Sequence, residues 1–436
     1  MFDYINEFNE VPLTIPSVLR EGDNTFTVIV GKNGVGKSRL LAEMVVNHKY
    51  FKRRNSKVIA VSTSPFDKFK LPQRKKELVE DKYKYIGMRG GGQNSSAIAL
   101  ISSATKGLIR KLLLSNDDSQ LSNIFKLLGF SSQVEFIFKS TAKNKSIFDK
   151  RFYEIINEAF EVSKGKSNWL ADVAHKLDEE TYNAVANLGH YTQSEIEFAL
   201  QYFAQAMDVN SGVIRVNVSF NENDKENRID ELKAIDVLFD AGVIKLMDLQ
   251  LKKFSLGKMS LRRASSGEQC IMVIMLGIAG HIEDHSLVFI DEPEISLHPI
   301  WQEKFVEILI KLFSSYKHCQ FFIATHSPQI VSKLEFHNCF ITSLSKRKIF
   351  LASELGNRSS DFQLAEVFDA PGSKNEYINR LCFSLLSKLK SKKEINHQDE
   401  EQLNKLLEFS NWISREDATY ELIMSVKEVF DFYAVN

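Results

Sequence analysis

Short apolar runs punctuated by turn residues open the chain. Val11 to Ile15 and Asn24 to Val30 read as strands separated by Glu21-Gly22-Asp23, and Lys57 to Ser62 reads as a further strand of the same sheet. Arg39 to Val46 between them is helical. From Ala99 to about Asp208 apolar residues recur at three and four, which predicts helices such as Ile98 to Leu114, Phe148 to Ser163 and Glu195 to Met207. Val213 to Phe220 alternates like a strand, the polar, acid-rich Asn221 to Glu231 reads as an exposed connection, and Leu232 to Phe239 is helical again. Two fully apolar runs, Leu287 to Ile290 and Phe321 to Ala324, have the length and continuity of strands buried on both faces. The helical stretches Cys270 to Ala279 and Trp301 to Phe313 accompany them.

Beyond these lies a hairpin-like pair, Cys339 to Thr342 and Lys348 to Ala352, then the turn Asp369-Ala370-Pro371-Gly372-Ser373. Glu376 to Lys390, Asp399 to Phe409 and Asp417 to Tyr433 close the chain as amphipathic helices. Two readings of them stand: they pack on their own domain, or they present a face to a partner. No heptad pattern is sustained anywhere, which argues against a long coiled-coil arm.

At 436 residues the chain is long enough for two or three lobes. Lys+Arg and Asp+Glu are equal at 56 each, so overall charge attracts no polyanion and any such binding must be local. One local excess runs from Phe51 to Lys84, with 11 Lys or Arg against 4 acids and Phe51, Phe66, Phe69 and Tyr83 interspersed. That stretch, above all residues 52–76, either grips a nucleic-acid backbone or is solvated surface. Cys270, Cys319, Cys339 and Cys382 form no metal-ligand pattern, and a reducing cytoplasm suits them. Neither a signal-peptide pattern nor an apolar run of membrane-crossing length is present, so a soluble cytoplasmic protein is expected.

The chemistry gathers around Gly31-Lys32-Asn33-Gly34-Val35-Gly36-Lys37-Ser38, a Walker A loop between a strand and a helix. Its glycines let backbone N–H groups turn inward on phosphates, and the helical stretch it opens, beginning at Arg39, adds its positive end. Lys37 would reach the β- and γ-phosphates and Ser38 would offer its hydroxyl to Mg2+. ATP and Mg2+ are therefore the expected ligands. Ala264-Ser265-Ser266-Gly267-Glu268-Gln269 places small residues before an apolar helix, a second anion-binding device or a plain serine N-cap. Asp291 and Glu292 end a buried strand, where carboxylates are costly unless a cation or substrate meets them. Asp291 is placed to hold Mg2+ and Glu292 to polarise the attacking water. His326, at the end of the next strand, can bond the γ-phosphate or that water. Gln93 ends a Gly-rich loop, Gly90-Gly91-Gly92, and would supply a polar side chain to metal and water unless that loop is only flexible surface.

These four motifs, in this order, resemble the ABC-type ATPase head. Asp291-Glu292-Pro293-Glu294-Ile295-Ser296-Leu297-His298-Pro299 most resembles the branch holding OLD-family, SMC-type and bacterial defence ATPases. The resemblance implies an α/β fold, a mixed sheet flanked by helices, with a helical insertion and a helical C-terminal region. The corresponding boundaries are 1–98, 99–240, 241–353 and 354–436. It also implies a head-to-tail dimer in which Ser265, Ser266, Gly267 and Glu268 of one copy close over ATP on the other. Where transporters place an aspartate after Walker B this chain has Ser296-Leu297-His298, unlike a transporter subunit. No Asp-x-Asp follows Asp291, unlike a nuclease-bearing OLD protein.

What remains resembles the arm-less AAA-type antiviral ATPases, such as PtuA of Septu and retron systems with its separate HNH nuclease, and AriA of PARIS with its Toprim partner. The partners thereby implied are a second copy, a separate nuclease effector, a reverse transcriptase with its non-coding RNA, and nucleic acid at 52–76, with no membrane. The competing expectation is a DNA-binding repair or recombination ATPase without long arms.

Overall fold

The computed structural model describes residues 4–47, 56–71, 82–91, 97–114, 119–141, 191–208, 211–220, 225–254, 257–356, 358–392 and 395–435. The expected helix Phe148 to Ser163, Gln93, and residues 52–55 and 72–76 of the basic run lie outside the described residues. The main strands, in chain order, are β1 (Thr25–Val30), β2 (Val58–Ser62), β3 (Tyr83–Gly87), β4 (Phe130–Ser140), β5 (Val213–Ser219), β6 (Ile244–Lys253), β7 (Gly257–Ser260), β8 (Leu287–Asp291), β9 (Gln320–Ala324), β10 (Cys339–Ser343) and β11 (Lys348–Leu351). The helices used below are α1 (Lys37–Val46), α2 (Ala97–Leu114), α3 (Ser119–Leu127), α4 (Gln193–Ala206), α5 (Lys225–Asp240), α6 (Ser266–Ala279), α7 (Pro299–Phe313), α8 (Glu376–Lys392), α9 (His397–Ser410) and α10 (Ala418–Val435). The chain is mixed α/β and divides into two compact units, Met1–Lys84 with Glu283–Asn436, and Tyr85–Ile282.

The first unit is built on a sheet of order β11-β10-β1-β9-β8-β2-β3. From β10 to β2 the pairs are parallel, and β11 turns back antiparallel on β10. Strands buried on both faces must be apolar throughout, and β1, β8 and β9 are buried at every position. Phe26 stacks on Phe321 at 4.6 Å between ring centroids, and Phe289 on Phe322 at 5.2 Å. Two of the polar exceptions are satisfied within the protein: Thr27 Oγ1 donates to Leu13 O at 2.6 Å, and Gln320 Oε1 accepts from Ile5 N at 2.8 Å. In-register pairing of Asp291 with Ala324 and Ser62 aligns the carboxyl ends of three strands on one edge, where open α/β sheets hold ligands. The expected strand Val11 to Ile15 shrinks to Val11–Pro12, with a 3-10 turn at Pro16–Val18, because Pro12 and Pro16 have no N–H for a ladder.

The last three helices form a bundle in this unit. Ile378, Cys382, Leu385 and Leu389 line one face of α8 at helical spacing and pack with Leu406, Ile423 and Phe430. Asp399, 1% exposed, is held by the Lys388 ammonium and caps the start of α9 with Asn396.

The second unit carries an antiparallel sheet of order β5-β4-β6-β7. Here the helical reading of Ala99 to Asp208 is corrected, since β4 is an eleven-residue strand. Phe130, Val134, Ile137 and Phe138 recur at four, three and one and so imitate a helix. Register shifts between Phe130 and Val134 and between Ile137 and Phe138 hide the true alternation of Val134, Phe136 and Phe138. The exposed connection expected over Asn221 to Glu231 is also corrected from Lys225 onward, where α5 begins; its apolar residues are concentrated in its second half. Helices α2 and α6 cross with backbones touching: a Cβ on Gly280 would lie 2.6 Å from the Gly107 carbonyl carbon. All four cysteines are buried, and none is in a disulfide.

Candidate functional site

The site grows from the end of β1. Gly31, Gly34 and Gly36 sit at φ of 148°, 78° and 104°, which side chains other than glycine rarely tolerate, so this loop can wrap only as written. Gly36 is the N-cap of α1 and no side chain caps the helix, leaving its first N–H groups to a ligand. Lys37 is buried at 4% exposure, and its ammonium donates to Gly31 O at 2.8 Å and Lys32 O at 3.2 Å, folding the loop around itself. Burial pulls its pKa down to about 8 against the opposing pull of Glu294, Glu292 and Asp291. Asn33, Gly34 and Arg39 are exposed, Val35 and Ser38 half-buried. The Lys32 ammonium lies over the indole of Trp412, in the turn between α9 and α10.

Asp291 ends β8 beside this loop at 2% exposure. Burial, with repulsion from Glu292, Asp67 and Glu294, pushes its carboxyl up to about 7 despite a hydrogen bond with the Ser38 side chain. Its Oδ1 has no partner. Glu292 follows at φ 49°, a left-handed conformation costing a non-glycine residue about 1–2 kcal/mol, held because its N–H donates to Ala324 O at 2.9 Å.

His326 joins the two halves. Its Nδ1 stands 3.1 Å from Lys37 Nζ, and its Nε2 stands 3.6 Å from Glu292 Oε1. Burial and the Lys37 charge lower its pKa to about 4, so at neutral pH the ring is uncharged and no ion pair with Glu292 forms. Because Lys37 can only donate, Nδ1 accepts and the ring's proton resides on Nε2, facing Glu292. Glu294, which sequence reasoning left without a role, holds this histidine from behind: its Oε1 accepts the His326 N–H. Burial raises the Glu294 pKa, and its Oε2 is unpartnered. The only sequence signal for it is a charged residue within an otherwise apolar and turn-forming stretch.

Ser38 and Asp291 are two hard oxygen ligands, one of them a buried carboxylate with an unmet lone pair. Mg2+ takes one or two such protein oxygens together with waters and substrate phosphates, so the residues present fit it. Among the described residues no three or more His, Cys, Asp or Glu are arranged so that they could hold a metal ion by themselves.

The remaining candidates lie elsewhere. Ser265 is the N-cap of α6 in a complete capping box: its Oγ accepts Glu268 N at 3.3 Å, and Glu268 Oε2 accepts Ser265 N at 3.2 Å. Lys253 holds the other Glu268 oxygen at 2.5 Å, while Ser266 is exposed and Gly267 buried. Of the basic run, Lys57 pairs with Glu283 at 2.5 Å, Lys68 and Lys70 are exposed, and Phe69 is core at 2% exposure. His298 caps α7.

The AAA ATPase domain family matches residues 56–331, well over half of the chain. The chain belongs to the AAA ATPase domain family. The phosphate loop, Gly31 to Ser38, precedes the matched span. Among curated proteins the chain is 30% identical to the Retron Ec83 probable ATPase of Escherichia coli over 94 residues, 19% of this chain and 17% of that one. It is 24% identical to the Retron Vc95 probable ATPase of Vibrio cholerae over 42% of this chain and 37% of that one. Protein ea59 of Escherichia phage lambda is 21% identical over 74% of this chain and 50% of that one. The chain thus spans no more than about half the length of these relatives. Among the described residues, no helix of this AAA ATPase domain protein is long and apolar enough to cross a membrane.

Proposed function

We propose that the chain is the ATP-hydrolysing, Mg2+-dependent regulatory subunit of an antiphage defence complex, controlling a separate nuclease effector through an ATP-dependent head-to-tail dimer. The observation that carries hydrolysis is the convergence of Lys37, Ser38, Asp291, Glu292 and His326 on one edge of the sheet. Phosphate oxygens replace the Gly31 and Lys32 carbonyls as acceptors for Lys37. Mg2+, when bound at Ser38 and Asp291, neutralises phosphate charge. A water between Glu292 and the γ-phosphorus loses its proton to the Glu292 carboxylate as its oxygen bonds phosphorus. The β,γ-bridge bond breaks and ADP leaves with the electron pair. His326, neutral and protonated at Nε2, donates to the transferring phosphoryl group and registers its departure.

The defence setting is supported by the likeness to two retron probable ATPases. In the dimer, Ser265 and Gly267 of the second copy present the α6 N-terminus to the γ-phosphate, and residues 354–436 dock the effector. Glu292→Gln tests the chemistry: it retains ATP, slows turnover by about 100-fold or more, and accumulates as a dimer on ATP. Turnover at the wild-type rate would remove Glu292 from the role of base. For the partner, the tagged chain is expressed with the nuclease encoded beside it and purified with and without ATP. Separation in both states sinks the regulatory reading.

A further inference from the structure

The antiparallel sheet of the second unit has one face buried and one face that is mostly polar and exposed, with Ile137 and Val213 buried within it. Val134, Phe136, Phe138, Val216, Val218 and Leu251 occupy the buried face. On the other, Gln133, Lys139, Arg215, Asn217, Lys245, Lys252 and Lys258 are exposed. Strand alternation and register place these side chains together: Asn217 pairs with Glu135 and Glu135 with Gln250, Lys139 pairs with Lys245, and Lys252 with Lys258.

The charge on this face is one-sided. Its acids are Glu135, engaged by Lys258 at 3.4 Å, and Asp248, 9% exposed and bonded by Ser260 Oγ and Leu249 N. Lys139, Arg215, Lys245 and Lys252 form no ion pair among the described residues. Like charges facing each other across a ladder are unfavourable, which Lys139 beside Lys245 shows without relief and Lys252 beside Lys258 shows with Glu135 relieving Lys258 alone. A cavity of about 420 Å3 adjoins this face; its polar lining includes the carboxamides of Gln133, Asn217 and Gln250, the cations Lys252 and Lys258, and the carboxylates Glu135 and Glu231. The three carboxamides make no hydrogen bond among the described residues, and each offers two donors and an acceptor. At the tip of the hairpin that joins β6 to β7, Phe254 is 72% exposed.

We propose that this face binds a single-stranded nucleic acid. The lysines and Arg215 lie along the strands over about 20 Å, six residues at 3.3 Å each, and neutralise successive phosphates. The carboxamides meet unpaired base edges in the cavity, and Phe254 stacks a base at its mouth. A duplex has its base edges paired and its bases stacked, so it would leave both the cavity and the ring unused. None of these residues belongs to the basic run 52–76, and the proposal does not depend on the ATPase reading.

The test is fluorescence anisotropy of a labelled 15-nucleotide oligomer with the full chain, in the absence of ATP. Expected is binding that weakens with salt, prefers single strands of DNA or RNA over a duplex of equal length, and falls at least tenfold in Lys252→Glu/Lys258→Glu. Phe254→Ser, an exposed substitution that leaves every charge in place, should lose roughly fivefold or more, in line with one base stack. Filter retention of labelled ATP by each variant checks that the other unit is intact. Failure to bind, preference for the duplex, or unchanged affinity in both variants overturns the proposal.

Discussion

Asp291→Asn separates a carboxylate kept for a cation from one that merely packs. Above pH 7 the wild-type protein buries an ionised group whose Oδ1 has no partner, and its pKa stands near 7 instead of the ordinary 3.8. Lys37 does not relieve it by hydrogen bonding, because that ammonium's bonds go to Gly31 O, Lys32 O and His326 Nδ1. A difference of about three pH units at ~1.4 kcal/mol each puts the cost of folding with this charge at no more than ~4 kcal/mol. The sign follows from proton counts. Between pH 3.8 and 7 the folded carboxyl keeps a proton that the unfolded one releases, so stability falls as pH rises through that window and levels off above it. Asparagine removes the charge but keeps shape, and its amide must still find partners, which reduces the expected gain to ~1–3 kcal/mol at pH 8. Urea unfolding without metal or nucleotide should therefore show the variant more stable at pH 8 and equal to or less stable than wild type at pH 5, because wild type regains about two pH units at ~1.4 kcal/mol each below pH 7. Millimolar Mg2+ with ATP should reverse the order at pH 8 by stabilising wild type alone. Equal stabilities at pH 8, or a gap that persists at pH 5, would mean that the aspartate is already neutralised by the protein.

Three further outcomes follow from the geometry. The pKa of His326 near 4 means that this ring contributes no loss of turnover as pH falls through 6.5, where Asp291 does titrate; a loss centred there that His326→Gln abolishes would show that the ring works as a cation. Glu294→Ala deprives the His326 N–H of its acceptor and should lower stability by ~1–3 kcal/mol in thermal unfolding, with turnover reduced more than ATP binding. Gly280→Ala drives a methyl against the Gly107 backbone and should cost ~1–3 kcal/mol in urea, whereas an unchanged midpoint would mean that α2 and α6 part freely.

The site is more legible in the sequence than the second unit is. Walker A, Asp291, Glu292 and His326 are strand-end residues following fully apolar runs, and a parallel sheet forces such ends onto one edge. Local pattern alone therefore locates that edge. It does not locate Glu294, whose role depends on a backbone N–H thirty-two residues away that no spacing announces. Strand β4 escapes for a different reason: bulges shift its apolar residues onto a helical interval, and periodicity reads intervals only. Helix α5 begins in a polar stretch that has no apolar face until Leu232, so local pattern marks only its second half.

Trp412 shows what the order of elements along a chain conceals. The indole comes 380 positions after Lys32, yet it receives that ammonium inside the very loop that waits for phosphate. That contact ties the turn between α9 and α10 to the loop, so a substitution at Trp412, far from it in sequence, changes the setting of a side chain within it.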